Sequence, residues 1–516
     1  MADQPIPTAN TAAKPDAEAA KRQRDKVDQL LARPPVLAKG WLRAGGTQRL
    51  DYNVRAAFVP VAQQGMGADH GEPQAAVFTI AYTVAATGPT PRPVCFAFNG
   101  GPGSSSVWLH LGALGPKRVP VMDDGSMPST PYRLVDNPHT WLPHFDLVFI
   151  DPPHTGFSIT ASDEARKTML SVDGDVDALA EVMRAWLAAN GRFGSPLFIA
   201  GESYGTTRGA ALADKMLGLG LALDGLILVS CAMDLQSLVF APRNDLPYAL
   251  FLPAFANVAQ YHGLLSGPLA ASSEAARSAA EAFVAEDYLR ALHLGARLDG
   301  VAKRRIENRL AALTGLPLAL VEEKNLRISD QCFFFEALRS RGRIVGRLEA
   351  RCTGAMAASR TRDWEFDPGI EALNAPYTTA ALAYYASLGI PTDTRYEVFN
   401  AAVNKAWTWQ RGEGKGISEA NGFTCTSTDL SRALRRHPHL RVLAARGRYD
   451  LGTPYSASDW SLAQLDVPAD VMARVTHRYY DAGHMFYTRS DDLRQFATDL
   501  AQWLALPVEP ESAHGL

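Results

Sequence analysis

The amino-acid sequence predicts an α/β fold, with a mostly parallel central sheet, flanking helices and a large, mainly helical insertion. Short apolar runs rich in β-branched residues recur from residue 54 to residue 229, and such runs are typical of strands buried on both faces. Helical periodicity separates the later runs, so strand and helix alternate as they do around a parallel sheet. The alternation stops near residue 233 and resumes near residue 440. The segment between these points is therefore predicted to be an insertion into one core.

Changes in periodicity bound the individual elements. The predicted strands cover residues 54–61, 75–84, 94–98, 147–150, 197–200, 226–229, 441–445 and 474–480. The predicted helices cover residues 173–189, 206–217, 456–465 and 491–504. Apolar side chains recur on one face of the first of these helices, which we expect to pack against the sheet.

Four segments follow from this pattern. Residues 1–45 are rich in alanine, proline and charge, which is typical of a flexible N-terminal arm, and one short helix is expected in it from Asp16 to Leu31. Residues 46–233 are predicted to form the first part of the α/β core. Residues 234–438 form the predicted helical cap, and residues 439–516 the second part of the core.

The composition limits the classes of partner. The chain has 516 residues, and its 51 Lys and Arg nearly balance 54 Asp and Glu, leaving a formal net charge of -3. We expect no nucleic-acid partner, because no basic stripe is present. No long uncharged apolar run occurs, so no membrane-spanning helix is expected. The sequence predicts no metal and no cofactor, and it does not indicate an oligomeric state.

The first residues bear on localisation. They contain no apolar core of the kind that an export signal requires. This favours a cytoplasmic protein, and a periplasmic or secreted protein is the alternative if a signal segment has been removed.

A nucleophile motif stands where a predicted strand runs directly into a predicted helix. Gly201-Glu-Ser-Tyr-Gly205 has the pattern G-x-S-x-G, and this context predicts the nucleophile elbow of the α/β-hydrolase fold. The turn at Ser203 is so sharp that side chains at positions 201 and 205 would collide. Ser203 is therefore the candidate nucleophile, held at a helix N-terminus that favours negative charge.

A serine at neutral pH needs a base and an acid that orients the base. In this fold they follow the serine in the order acid, then histidine. Asp450 follows the strand over residues 441–445, and His484 follows Gly483 after the last predicted strand. Both are predicted to complete a triad with Ser203. Four other residues fit these positions less well, namely Asp234, His437, His439 and His477.

A glycine-rich segment over residues 98–106 follows an earlier strand. Acyl transfer requires amide donors aimed at the developing oxyanion, one from such a loop and one from the residue after the nucleophile. The amides of Gly101 and Tyr204 are the candidates. The segment lacks the spacing and the Lys-Ser/Thr ending of a phosphate-binding loop.

Together, Asn99-Gly-Gly-Pro-Gly-Ser-Ser-Ser106, Gly201-Glu-Ser-Tyr-Gly205, Gly447-Arg-Tyr-Asp450 and Gly483-His-Met485 resemble the motifs of the serine carboxypeptidase family. The segments Asn137 to Trp141 and Phe149 to Ser158 also resemble that family. The resemblance covers roughly residues 90–232 and 440–490. It implies the same triad and oxyanion amides, no cofactor, and a peptide substrate with a free C-terminus.

The resemblance also implies that Asn99, Gly100 and Glu202 bind the C-terminal carboxylate of the substrate. A glutamate holds a carboxylate only if the pair shares a proton, which raises an apparent pKa and favours acidic conditions.

The chain departs from the family pattern at three positions. Ser104 and Thr453 replace cysteines, so disulfides and thiol sensitivity at these positions are not expected. Ala113 replaces a glutamate that assists carboxylate binding. This departure weakens the exopeptidase interpretation and leaves an esterase or acyltransferase as the alternative, since the same triad serves those reactions. A non-catalytic binding protein is disfavoured, because all three triad residues are retained.

Overall fold

A mixed sheet of ten strands lies at the centre of the molecule, in the part of the chain that the computed structural model describes, namely residues 17–45, 47–63, 70–86, 88–412 and 422–506. Its strands are β1 (Val36–Ala44), β2 (Gln48–Ala62), β3 (Pro73–Thr83), β4 (Val94–Phe98), β7 (Asp146–Ile150), β8 (Ile159–Thr160), β9 (Leu197–Glu202), β10 (Gly225–Val229), β13 (Arg441–Gly447) and β14 (Val475–Tyr480). Two small hairpins accompany it, β5 (Lys117–Arg118) with β6 (Val135–Asp136), and β11 (Arg343–Val345) with β12 (Thr353–Ala355).

The strand order is β1-β2-β3-β7-β4-β9-β10-β13-β14, and β8 pairs with β3. The six strands from β7 to β14 are parallel to their neighbours in this order. The first three strands run antiparallel at one edge. This is the strand order of the α/β-hydrolase fold, so the predicted fold class is confirmed. The carboxyl ends of the parallel strands lie at one edge, where such sheets place their sites.

Helices cover both faces of the sheet and form the cap. In chain order they are α1 (Ala17–Ala32), α2 (Val107–Leu109), α3 (Asp163–Met169), α4 (Val172–Ala189), α5 (Tyr204–Gly218), α6 (Leu246–Tyr261), α7 (Ser273–Phe283), α8 (Leu289–Leu294), α9 (Gly300–Thr314), α10 (Leu318–Glu323), α11 (Asp330–Glu336), α12 (Pro368–Ser387), α13 (Ala401–Ala406), α14 (Ser427–Arg436), α15 (Tyr455–Ala463), α16 (Ala469–Met472) and α17 (Ser490–Ala505). Two π-helical segments, His110–Leu114 and Val284–Tyr288, extend α2 and α7. None of the described helices is long and apolar enough to cross a bilayer.

The parallel strands are buried on both faces, as their continuous apolar sequences predict. In β4, Cys95 and Ala97 belong to the apolar cluster on one face, while Phe96 and Phe98 belong to the cluster on the other face. The second cluster includes α4 and α5. The helix that starts at the elbow is thus fixed against the sheet along its length.

The short helix expected from Asp16 to Leu31 is present as α1, but the prediction of a flexible arm over residues 1–45 is wrong for residues 17–44, because they pack on the core. In the structure α1 buries Val27 and Leu30 against Ala76 and Ala161, and β1 pairs along its length with β2. The strand was missed because it lies at the sheet edge, where its exposed face carries both apolar and charged residues, so that the sequence does not alternate regularly. The first 16 residues of the predicted arm lie outside the described residues.

The predicted cap, residues 234–438, is helical but is not one unit. Residues 249–350, which are the cap proper, form a third apolar cluster, and Tyr449, Leu451 and Tyr455 of the core belong to it as well. By contrast, α12 contributes Tyr377 and Tyr385 to the first sheet cluster, and α14 packs on α5 in the second. The predicted boundary is therefore corrected, since α12 and α14 complete the core. The apolar faces of α12 and α14 pack on the core and not on the cap, and helical periodicity does not reveal which of the two a helix packs against.

Candidate active site

Ser203 lies in the tight turn between β9 and α5. Its backbone has φ 60° and ψ -127°, a conformation in the positive-φ region that non-glycine residues rarely adopt. The Ser203 amide donates to the carbonyl oxygen of Val229 at 2.9 Å, which ties the turn to the end of β10. A Cβ at Gly201 would overlap the carbonyl oxygen of Gly205. The collision predicted from the motif is therefore present in the structure.

Asp450 and His484 meet at the ends of β13 and β14. The Nδ1 atom of His484 lies 2.7 Å from Oδ2 of Asp450, and both side chains are almost fully buried. Ser203 and His484 both line the same cavity. The predicted acid and base are thus hydrogen-bonded to each other, and the predicted nucleophile lines the same cavity as the base.

Thr453, which stands at one of the family's cysteine positions, binds the acid. Its hydroxyl donates to Oδ2 of Asp450 at 2.6 Å and lies 3.1 Å from Nδ1 of His484. The amides of Gly452 and Thr453 donate to the other carboxylate oxygen at 2.7 and 3.0 Å. Both oxygens of Asp450 are therefore held by donors, and the carboxylate is oriented towards the imidazole.

The charges of the pair stabilise each other. Burial tends to raise the pKa of Asp450, but the charge of His484 and the hydrogen bonds to the carboxylate outweigh it and lower this pKa. Burial tends to lower the pKa of His484, but Asp450 outweighs it and the pKa of the imidazole is raised. The aspartate thus stays ionised, and the histidine is a stronger base than in water.

A segment of the cap, residues 347–350, holds both loops of the acid–base pair. The His484 amide donates to the carbonyl oxygen of Leu348 at 2.6 Å, and the Gly483 amide donates to the carboxylate of Glu349 at 2.9 Å. The Leu451 amide donates to the carbonyl oxygen of Arg347 at 2.9 Å. The cap is therefore part of the scaffold of the site.

The predicted oxyanion loop lies against the elbow. A Cβ at Gly100 would overlap the amide nitrogen of Tyr204, so only glycine permits this approach. The guanidinium of Arg208 fixes the loop by donating to the carbonyl oxygen of Asn99 at 2.8 Å. Arg208 is buried and forms an ion pair of 2.7 Å with Asp175 of α4. Gly101 borders Ser203 in both adjacent cavities, which agrees with its predicted role.

Glu202 points into the site from the position before the nucleophile. It is 3% exposed, and Tyr487 donates a hydrogen bond of 2.6 Å to its Oε2 atom. Burial raises the pKa of Glu202 to about 7, although the charge of His484 and the Tyr487 hydroxyl act in the opposite direction. The side-chain amide nitrogen of Asn99 is buried and has no hydrogen-bond partner among the described residues. The side chains of Glu202 and Asn99 face the same cavity, and Asn99 lies close enough to the carboxyl to oppose the rise of its pKa.

Two cavities open on either side of Ser203. The larger cavity has a volume of about 1120 Å³. It is lined by Asn99, Glu202 and His484 and by many polar side chains from the segment 364–404. The smaller has a volume of about 560 Å³. Its walls are mainly apolar and are formed by Leu235, Leu238, Val239, Phe251, Trp409 and Phe423. A substrate can therefore place different groups on the two sides of the nucleophile.

The structure brings all eight predicted site residues to this edge and leaves the rival residues elsewhere. His477 lies within β14 and accepts from Arg446 at 2.6 Å, and Asp234 accepts from Ser427 at 2.7 Å. His437 and His439 precede β13. Several supporting residues were not predicted, namely Asp175, Arg208, Ser230, Glu349, Thr453 and Tyr487. Only Thr453 carried a signal, since it replaces a residue of the family pattern.

A family model described as serine carboxypeptidase matches residues 73–218. The matched range contains the oxyanion loop and the elbow. The resemblance to the serine carboxypeptidase family is confirmed. The match ends before Asp450 and His484. Among curated proteins, none matches the chain.

Several solved structures are similar to the chain at low identity. A proline iminopeptidase from Mycobacterium smegmatis has 13% identity and a TM-score of 0.37, with 87% of this chain and 97% of that chain covered. A peroxisomal α/β-hydrolase from Saccharomyces cerevisiae has 8% identity and a TM-score of 0.36, with 90% and 92% covered. A carboxyl esterase from Bacillus coagulans has 13% identity and a TM-score of 0.34, with 87% and 98% covered. The activities in these names are those of the other proteins.

The chain is a serine hydrolase of the α/β-hydrolase type. Its strand order, its elbow and the family match agree on this class. The substrate is a separate question, because one fold and one triad serve several reactions.

Ser203→Ala is expected to abolish covalent labelling by a fluorophosphonate and all hydrolysis, while far-ultraviolet circular dichroism stays unchanged. The hydroxyl makes no contact that the elbow requires. His484→Ala is expected to slow labelling by roughly 10³-fold or more, as in other triads. Labelling of the Ser203→Ala variant at another serine, with activity retained, would disprove the assignment of the nucleophile.

Thr453→Val is expected to lower kcat roughly tenfold, because it removes a hydrogen bond that orients the charged Asp450 carboxylate. Thr453→Ser is the matched control and is expected to retain activity, since it keeps the hydroxyl. The kcat for an aryl ester measures the effect without any peptide recognition. A Thr453→Val variant with the parent kcat would show that the hydroxyl plays no part in orienting the acid.

Proposed function

We propose that this serine hydrolase is a carboxypeptidase, which hydrolyses the last peptide bond of its substrate through an acyl-enzyme. The observation that carries the proposal is the pair formed by Glu202 and Asn99. Both lie in the larger cavity beside Ser203, and both offer a hydrogen-bond donor there, Glu202 in its protonated form. Two buried donors next to the nucleophile suit the free carboxylate of a C-terminal residue.

In the proposed reaction, Ser203 attacks the carbonyl carbon of the last peptide bond while His484 accepts the hydroxyl proton. The amides of Gly101 and Tyr204 stabilise the oxyanion of the tetrahedral intermediate. His484 then donates the proton to the departing amino group, and the C-terminal amino acid leaves through the larger cavity. Water, activated by His484, hydrolyses the acyl-enzyme. Asp450 stays ionised throughout and stabilises the charged imidazole.

The apolar smaller cavity suits the side chain of the residue that supplies the acyl group. Its walls come mainly from residues 232–251, 409–410 and 422–424, and no charged residue other than Asp330 and Arg347 lines it in the described part of the chain. Burial of an apolar side chain there contributes about 25 cal/mol per Å² of surface removed from water.

Because Ala113 stands where the family has a glutamate that assists carboxylate binding, Glu202 and Asn99 provide most of the hydrogen bonds to the substrate carboxylate in this proposal. Ala113 is buried in the π-helical segment after α2 and does not line either cavity. An esterase or acyltransferase is the second candidate, and the missing glutamate is the observation that favours it.

The parent enzyme is expected to release the last residue from N-blocked dipeptides with a free C-terminus and to leave the matching C-terminal amides almost intact. The amide has one acceptor oxygen and no charge, and its NH2 group is a donor, so it cannot accept hydrogen bonds at two oxygens as a carboxylate does. Release of the amino acid, followed by chromatography, measures the difference, and a simple aryl ester serves as the control for an active triad. Equal cleavage of acids and amides would contradict carboxylate recognition and favour the esterase or acyltransferase.

Glu202→Gln is expected to flatten the dependence of the peptide KM on pH. In the parent, Glu202 is protonated below its pKa of about 7 and donates to the substrate carboxylate, so affinity is present at low pH and is lost as the pH rises through 7. Glutamine donates at every pH. Aryl ester hydrolysis, which needs no carboxylate, is the matched control. A parent-like pH profile of KM in this variant would disprove the shared proton.

A further inference from the structure

Arg347 occupies a fixed position beside the triad. It follows β11 in the cap, its amide donates to Oδ1 of Asp367 at 3.0 Å, and its carbonyl oxygen accepts from the Leu451 amide at 2.9 Å. The backbone of Arg347 is thus attached to the loop that carries Asp450. A Cβ at Gly452 would lie 3.4 Å from the guanidinium carbon, so the side chain crosses that loop at close range.

Arg347 borders both cavities. Among the described residues, the two cavities have only Gly101, Ser203 and Arg347 in common. Gly101 and Ser203 belong to the oxyanion loop and the elbow. Arg347 is therefore the single charged group that reaches a substrate on both sides of the bond to be cleaved.

The positive charge of Arg347 has no partner in the described part of the chain. No ion pair or side-chain hydrogen bond involves it there, whereas Arg351 is paired with Glu349 at 2.7 Å. Burial raises the pKa of both Asp330 and Asp367, and the positive charge of Arg347 only partly opposes this. Neither is within 4.0 Å of the guanidinium, and Asp367 already accepts hydrogen bonds from backbone amides. The guanidinium also disfavours the protonated form of His484.

We propose that Arg347 determines specificity by binding a second carboxylate of the substrate, close to the scissile bond. This inference rests on the proposed carboxypeptidase function, in which Glu202 and Asn99 hold the terminal carboxylate. A planar guanidinium matches a carboxylate with two parallel hydrogen bonds. The second carboxylate is the side chain of Asp or Glu, in either the last residue or the residue before it.

The test compares isosteric pairs of N-blocked dipeptides. One pair ends in Glu or Gln after Ala, and the other carries Glu or Gln before a terminal Ala. The ratio of kcat/KM for the Glu substrate to that for the Gln substrate is measured for the parent, Arg347→Gln and Arg347→Lys. Arg347→Gln removes the charge-assisted hydrogen bonds to the substrate carboxylate, so it is expected to lower this ratio about 10- to 100-fold for the substrate position whose side chain Arg347 contacts. Arg347→Lys, which keeps the charge, is expected to restore part of the ratio.

Arg362→Gln is the matched control. Arg362 is an exposed arginine of the same region, pairs with Glu336 at 2.7 Å and lines neither cavity. Its removal is expected to leave the Glu-to-Gln ratio unchanged. An unchanged ratio in Arg347→Gln at both positions would overturn the inference.

Esters separate failure of this inference from failure of the carboxypeptidase proposal. If no dipeptide is cleaved, the same variants are assayed with the 4-nitrophenyl monoester of succinate and with 4-nitrophenyl butyrate. A preference for the succinate ester that disappears in Arg347→Gln supports carboxylate binding by Arg347 in an enzyme that is not a carboxypeptidase. The absence of such a change overturns the inference.

Discussion

The positive-φ conformation of Ser203 is the constraint on which the rest of the site depends. The strand ends and the helix begins within one residue, so the side chain of Ser203 lies outside both elements. This tight turn brings backbone atoms so close to Gly201 and Gly100 that neither position has room for a side chain. Such a conformation costs about 1–3 kcal/mol and persists only where surrounding structure enforces it. Here β10 holds the Ser203 amide, α5 is buried along its length, and Arg208 attaches the oxyanion loop to α4 and α5.

The acid and the base are held by different means. Asp450 and His484 belong to loops that follow the last two parallel strands, and loops alone leave an imidazole free to rotate. Hydrogen bonds from Thr453 and Gly452 fix the carboxylate, and Ser230 donates to the carbonyl oxygen of His484 at 2.6 Å. The site therefore combines motif residues with supporting residues whose sequence context is ordinary.

The part of the fold that depends on periodicity was predictable, and the part that depends on long-range packing was not. Buried parallel strands are continuously apolar, so all of those that carry the site were found, within a few residues of their ends. The edge strand β1 was missed because charged and apolar residues are mixed on its exposed face, which breaks the period-2 pattern. The assignment of α12 and α14 to the core required contacts with distant strands, which a local pattern does not contain.

In the site, too, the residues marked by a local sequence pattern were predictable and those placed by long-range contacts were not. Ser203, Asp450 and His484 follow from strand ends and chain order, and the glycines from the close approach of two backbones. Glu349 and Tyr487 act through single hydrogen bonds to residues more than 100 positions away. Nothing in their local sequence marks them, because the partner is specified only by the folded chain.

Hydrogen bonds between residues 347–350 and the loops of Asp450 and His484 make the cap a structural part of the active site. A chain emerging from the ribosome completes this segment before either loop has been synthesised. The enzyme can therefore hydrolyse a substrate only after the last strand has joined the sheet and the loop of His484 has packed against the folded cap. The order of synthesis thus delays catalysis until the last strand has joined the sheet.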